Sequence, residues 1–247
     1  MSCEPGGGFE AVYGRVASDW EQVARRIQDD WDVFLEDVER NIAQALRNLA
    51  GARSKTAQGF NIFEITGHAH LEVETHSRFL AHLLDPSETH GQGGLFLGGF
   101  LSRLRGNTAV PRPDGYWWVA AEYSTDFGRL DILLRHRHEP FFVVIENKIY
   151  ASDQPGQLVR YWQWLCEQGP GGQKHLVYLT PAGTEPTELS FDHPSASPKM
   201  KREARARVQC MSYRGDLAPQ WNGLINEIAC PEVKAVVRQY IRTIGDL

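Results

Sequence analysis

Cysteine is scarce in this chain of 247 residues, with four in all at positions 3, 166, 210 and 230. They form no C-x-x-C, so neither a zinc ribbon nor a disulfide framework is expected, and the thiols should be reduced. Long apolar runs are missing too, since none approaches the ~18–20 residues that a membrane-spanning helix needs. The opening Met1-Ser2-Cys3-Glu4-Pro5-Gly6 has neither the basic nor the apolar region of a signal peptide, which makes a cytoplasmic protein the expectation. Net positive charge is also absent, because 26 Lys and Arg stand against 31 Asp and Glu. That balance argues against a large non-specific nucleic-acid surface, whose affinity comes from neutralising phosphates.

What is present suits a globular protein. Hydrophobic residues make up 42% of the chain and aromatics 11%, enough to fill a sizeable interior. Cations are concentrated locally in Lys199-Met200-Lys201-Arg202-Glu203-Ala204-Arg205-Ala206-Arg207. With Arg135 and Arg137, these are candidate contacts to a nucleic-acid backbone, although a charged run is more often a solvated face.

The chemistry is concentrated around Asp131 and Glu146. Leu130 to Leu134 and Phe141 to Ile145 are apolar runs of strand length, separated by the polar Arg135-His136-Arg137-His138-Glu139-Pro140. They predict an antiparallel hairpin. A turn centred between His138 and Glu139 sets Asp131 directly opposite Glu146, on one face and ~4.5–5.5 Å apart. A one-residue slip would turn Asp131 away.

Carboxylates that close repel one another unless a cation lies between them, and Mg²⁺ suits such a pair because it takes one or two carboxylates together with phosphate and water. Alternation along the strand puts Lys148 on the face of Glu146 and Asn147 on the other. An ammonium there can hold an attacking water and offset charge in a phosphoryl transition state.

Ser152 to Trp162 opens with capping residues and Pro155, then continues at helical spacing through Leu158, Trp162 and Leu165. Gln157 and Tyr161 share one face of that helix, where they could bind phosphate or steady Lys148.

Upstream, apolar residues recur three or four apart from Val16 to Leu46, which predicts an amphipathic helix or a helical pair, beginning at a Ser18/Glu21 capping box and stopping near Gly51. Its stripe needs a partner, either the rest of the chain or a second copy in a coiled coil. Helices are also predicted over about 71–84, 93–104, 222–228 and 232–244, and strands over about 117–123 and 175–180. The segment 181–198, with prolines at 181, 186, 194 and 198, reads as an irregular excursion.

With these elements in place, the chain resembles the PD-(D/E)xK nuclease superfamily over about residues 60–225. Gly128-Arg129-Leu130-Asp131 is similar to its second-strand motif, with Leu130 where many members have Pro. Glu146-Asn147-Lys148 is similar to its E-x-K, and Gln157-x-x-x-Tyr161 to the Q-x-x-x-Y helix of RecB-like members. Phe60 to Ile65, Glu74 to Pro86, His90-Gly91, Leu176 to Pro181 and Ser212-Tyr213 resemble further signatures of stand-alone bacterial members.

The resemblance implies a restriction-endonuclease-like αβββαβ core, with a mixed central sheet flanked by helices, in a nuclease-like domain at 59–247. An N-terminal helical extension would occupy 1–58, and further helices would close the chain. It also implies a Mg²⁺-dependent endonuclease acting on DNA, with Mn²⁺ able to substitute, no membrane, and a homodimer as one way to cut two strands. Phage defence is one setting for such an enzyme.

The catalytic group would be Asp131, Glu146, Lys148, Gln157 and Tyr161. Asp131 and Glu146 would hold the metal with an acid from the first core helix, Glu74 first and Glu72 second, while Glu122 on the first strand is a further candidate. The alternative is a binding or protein-interaction module that keeps the fold without cleavage. A transition-metal site built from His76, His82, His90 and Asp85 is disfavoured, because residues six apart on a helix do not share a face.

Overall fold

The computed structural model describes residues 7–57, 59–106 and 110–247, so Met1 to Gly6, with Cys3, lies outside the described residues. The chain separates into two units, Met1–Phe60 and Asn61–Leu247.

The first unit is built on one helix, α1 (Gly7–Thr56). Ser18 and Glu21 are therefore interior to it, where Glu21 pairs with Arg25 at 3.4 Å instead of capping, and the helix runs on past Gly51.

The second unit centres on a five-stranded sheet whose spatial order follows the sequence: β1 (Trp117–Thr125), β2 (Gly128–His136), β3 (Phe141–Asn147), β4 (Gln173–Thr180) and β5 (Val208–Ser212). The first three strands run antiparallel and the last three parallel. The two parallel crossovers are made by α5 (Gln157–Glu167) and α6 (Pro198–Arg207).

Residue alternation sorts the sheet into two apolar faces. Leu133, Val144 and Leu176 join Leu158, Tyr161, Trp162 and Leu165 of α5 on one side. Ile132, Val143, Ile145 and Val177 face the other, where α3 (Arg78–Leu84), α4 (Leu95–Leu101), α7 (Ala218–Leu224) and α8 (Pro231–Asp246) pack. Each such buried side chain contributes ~1.5–3 kcal/mol over exposure, and this burial stiffens the strands that carry the polar site. The short α2 (Ile62–Ile65) is capped by Asn61, whose side chain accepts from Phe63 N and donates to Thr243 Oγ1 of α8 at 2.8 Å.

The mixed sheet flanked by helices matches the expected fold class. Two elements were not expected from the sequence. The basic run 199–207 forms α6, and β5 adds a fifth strand after it. Residues 181–197 are irregular except for a short turn at Glu188–Phe191, and Pro198, expected in that excursion, starts α6. Among the described residues no helix is long and apolar enough to cross a membrane, and Cys166, Cys210 and Cys230 are free thiols.

Candidate active site

The β2–β3 hairpin pairs Ile132 with Ile145, Leu133 with Val144, Leu134 with Val143 and Arg135 with Phe142. Extended by one pair, this register sets Asp131 opposite Glu146. Asp131 Oδ2 accepts a hydrogen bond from Asn147 N at 2.9 Å, which ties the end of β2 to the end of β3.

Glu146 is fully buried, and Lys148, only 6% exposed, places its Nζ 2.6 Å from Glu146 Oε1. Apart from this ion pair, neither Glu146 oxygen has an aligned hydrogen-bond donor among the described residues. Lys148 is itself positioned by its backbone, which donates to Leu179 O at 2.8 Å and so prolongs the β3–β4 pairing.

The electrostatics follow from this crowding. Burial pushes the Asp131 carboxyl up to about 9, and the Glu146 charge adds to the push. Burial also raises Glu146, against the pull of Lys148. Burial works against the Lys148 charge, but Glu146 outweighs it and the ammonium titrates above the ordinary lysine value. Both carboxyls are thus held toward their neutral forms, with the Lys148 ammonium opposing this at Glu146, and a cation between them would favour their charged forms.

Asn147, the middle residue of the E-x-K, is fully buried at a junction of three elements. Its Nδ2 donates to Ser77 Oγ at 3.0 Å, and its Oδ1 accepts from Tyr213 OH at 2.9 Å. Ser77 closes a π-helical turn, Glu72–Ser77, that leads into α3. In the same turn Glu72 Oε2 accepts from Ile149 N at 2.7 Å, which fixes the chain just after Lys148. Neighbouring His76 is buried and neutral in character, because burial lowers its pKa while its ring contacts Tyr240 OH (3.1 Å) and Ala69 O (2.8 Å).

The structure brings Asp131, Glu146 and Lys148 together with Glu72, and leaves Glu74 outside. Glu74 is exposed and lines a separate groove with His68, Arg78 and His82. The reason is helical geometry. Residues two apart point to nearly opposite sides of a helix, whereas Glu72 and His76, four apart, face the core together. That spacing, read from the buried His76, was the signal that favoured Glu72.

Glu122 interrupts β1 with a left-handed φ of 55°, at the point where the β1–β2 ladder skips Asp131. Its carboxylate pairs with Arg129 Nε at 2.6 Å and not with Lys148. Gln157 and Tyr161 are both buried and linked, with Gln157 Nε2 donating to Tyr161 OH at 3.1 Å and that hydroxyl donating to Arg129 O at 2.6 Å. The pair fastens α5 to β2 one residue short of Leu130.

The basic run on α6 is largely neutralised by its own neighbours. Arg205 Nη1 bonds Glu188 at 2.7 Å, Lys201 lies 3.4 Å from Asp192, and Arg207 lies over the Trp162 ring. Arg135 stacks over Trp118 at the strand end away from Asp131. His90 is committed to backbone, contacting Asp85 O at 2.9 Å and accepting from Gln92 N at 3.0 Å.

Among the described residues, no three acidic, histidine or cysteine side chains converge as a self-sufficient metal cage. Two adjacent buried carboxyls, those of Asp131 and Glu146, suit a cation that keeps much of its water shell, as Mg²⁺ does.

A mixed five-stranded sheet between helices, with acids and a lysine gathered at the end of its central hairpin, defines a restriction-endonuclease-like α/β protein. The chain belongs to the PD-(D/E)XK nuclease superfamily, whose family signature matches residues 60–242. No curated protein and no solved structure matches the chain.

Proposed function

We propose that this protein is a Mg²⁺-dependent nuclease that hydrolyses DNA phosphodiester bonds at Asp131, Glu146 and Lys148. The observation that carries the reading is the fully buried Glu146, held between the buried Asp131 carboxyl and the Lys148 ammonium 2.6 Å away. A buried acid in that state is costly to a fold unless it serves a ligand.

Asp131 and Glu146 would hold the cation. When bound, it supplies a lowered pKa for the attacking water and offsets charge on the phosphate. Lys148 orients that water through its ammonium and neutralises charge as the phosphoryl group passes through its transition state. Glu72 fixes the backbone beyond Lys148, and Asn147 fixes the backbone between the two reacting side chains. Tyr161 and Gln157 would support the strand that carries Asp131, to whose Arg129 carbonyl the Tyr161 hydroxyl donates.

Soaking crystals with Mn²⁺ and collecting at its absorption edge tests the reading. Anomalous density within bonding distance of Asp131 and Glu146 is expected. Its absence at millimolar Mn²⁺ would favour the non-cleaving binding module. A panel of linear, circular, single-stranded and RNA substrates then defines the substrate class, with cleavage of DNA expected.

A further inference from the structure

The apolar side chains of α1 repeat at an interval of eleven residues. Trp20, Trp31 and Ile42 form one column, and Val12, Val23, Phe34 and Ala45 a second. Tyr13, Ala24, Leu35 and Leu46 form a third, and Val16, Ile27, Val38 and Leu49 a fourth. Eleven residues in three turns give about 3.67 per turn, close to the natural period of a straight helix. The columns therefore stay at constant azimuth and do not drift around the helix, making one stripe ~55 Å long from Val12 to Leu49.

The stripe is exposed in the chain, with Trp20 at 70%, Phe34 at 56% and Trp31 at 55%. Charged and amide groups on the other faces find partners along the helix itself, as in Arg40 with Asp37 at 2.7 Å and Gln28 with Asp32 at 3.0 Å. Polar demand is thus met locally, while among the described residues of the first unit nothing covers the apolar face.

We infer that α1 is a coiled-coil strand whose occupant is α1 of a second copy of this chain, packed in a nearly straight or slightly right-handed supercoil. A sustained eleven-residue repeat matches only a partner helix of the same period, and a second copy has that period by construction. The area is sufficient. At ~50–100 Å² for each large exposed side chain, the stripe removes on the order of 1,000 Å² per helix from water, above the ~800 Å² per partner of a stable interface.

Val33 supplies an internal control. It is 62% exposed and apolar, but lies roughly 150° round the helix from the middle of the stripe. Light scattering on the full chain should give twice 27.9 kDa for the wild type and for Val33→Asp. Phe34→Asp should give 27.9 kDa, and so should the uncharged Trp31→Ala/Phe34→Ala double variant. Circular dichroism on each variant separates dissociation from misfolding of the second unit. A monomeric wild type at tens of micromolar, or equal effects of Val33→Asp and Phe34→Asp, would overturn the inference.

Discussion

At the scale of single residues, Asp131 shows what burying a second carboxyl beside Glu146 costs the fold. Its carboxyl titrates near 9 because it is buried beside Glu146, whereas in the unfolded chain it titrates near the ordinary 3.8. A raised folded pKa adds stability below about pH 4, and that stability is lost as pH climbs toward 9. Asp131→Asn removes the titration. The metal-free variant should therefore match the wild type near pH 4 and melt progressively higher than it toward pH 9, by up to ~1.4 kcal/mol per pH unit, in thermal scans across that range. Added Mn²⁺ should raise the melting point of the wild type and leave that of Asp131→Asn unchanged.

Asn147 makes the opposite case, a residue whose value lies in its fixed partners. Asn147→Ala strips a donor from Ser77 and an acceptor from Tyr213 in a fully buried place, which should cost ~2–3 kcal/mol by denaturant melt. As the variable position of E-x-K it drew no attention in the sequence, although alternation had already turned it toward the opposite, buried face.

At the scale of elements, the β2–β3 register was legible because two apolar runs and a polar turn leave little choice of pairing. The acid on the first helix was not, since Glu72 and Glu74 both precede the same apolar run and only the packing of His76 decides between them. The α6–β5 segment was hidden for a different reason. Its helix is dominated by cations that form ion pairs with Glu188 and Asp192, and only Ala204 is buried, so no apolar period announces it.

Helix α5 lies where its apolar spacing put it but starts at Gln157 without a side-chain cap, and Gln157 and Tyr161 fasten it to the backbone of Arg129. Tyr161→Phe should consequently cost ~1–2 kcal/mol of stability, while Mn²⁺ affinity measured by calorimetry at a temperature well below the melt stays within a few-fold of wild type.

At the scale of the whole molecule, the site and the long helix answer different needs. One places acids and a lysine at the end of the sheet's central hairpin, and the other offers a surface for a second chain. In the dimer inferred above, two chains would bring two sites into one particle, the arrangement that cutting both strands of a duplex favours. On supercoiled plasmid, Phe34→Asp should accumulate more nicked circle than Val33→Asp at equal protein concentration, as gel analysis of the time course will show.

The central claim is that Lys148, beside Glu146 and Asp131, takes part in phosphodiester hydrolysis. Single-turnover cleavage of linear duplex DNA in Mg²⁺, wild type beside a Lys148→Ala variant shown to be folded by its thermal melt, tests it most directly. The expected result is cleavage by the wild type, abolished by chelation and lowered by at least ~10²-fold in the variant. Equal cleavage by both proteins, or none by a folded wild type on any nucleic-acid substrate, would contradict it.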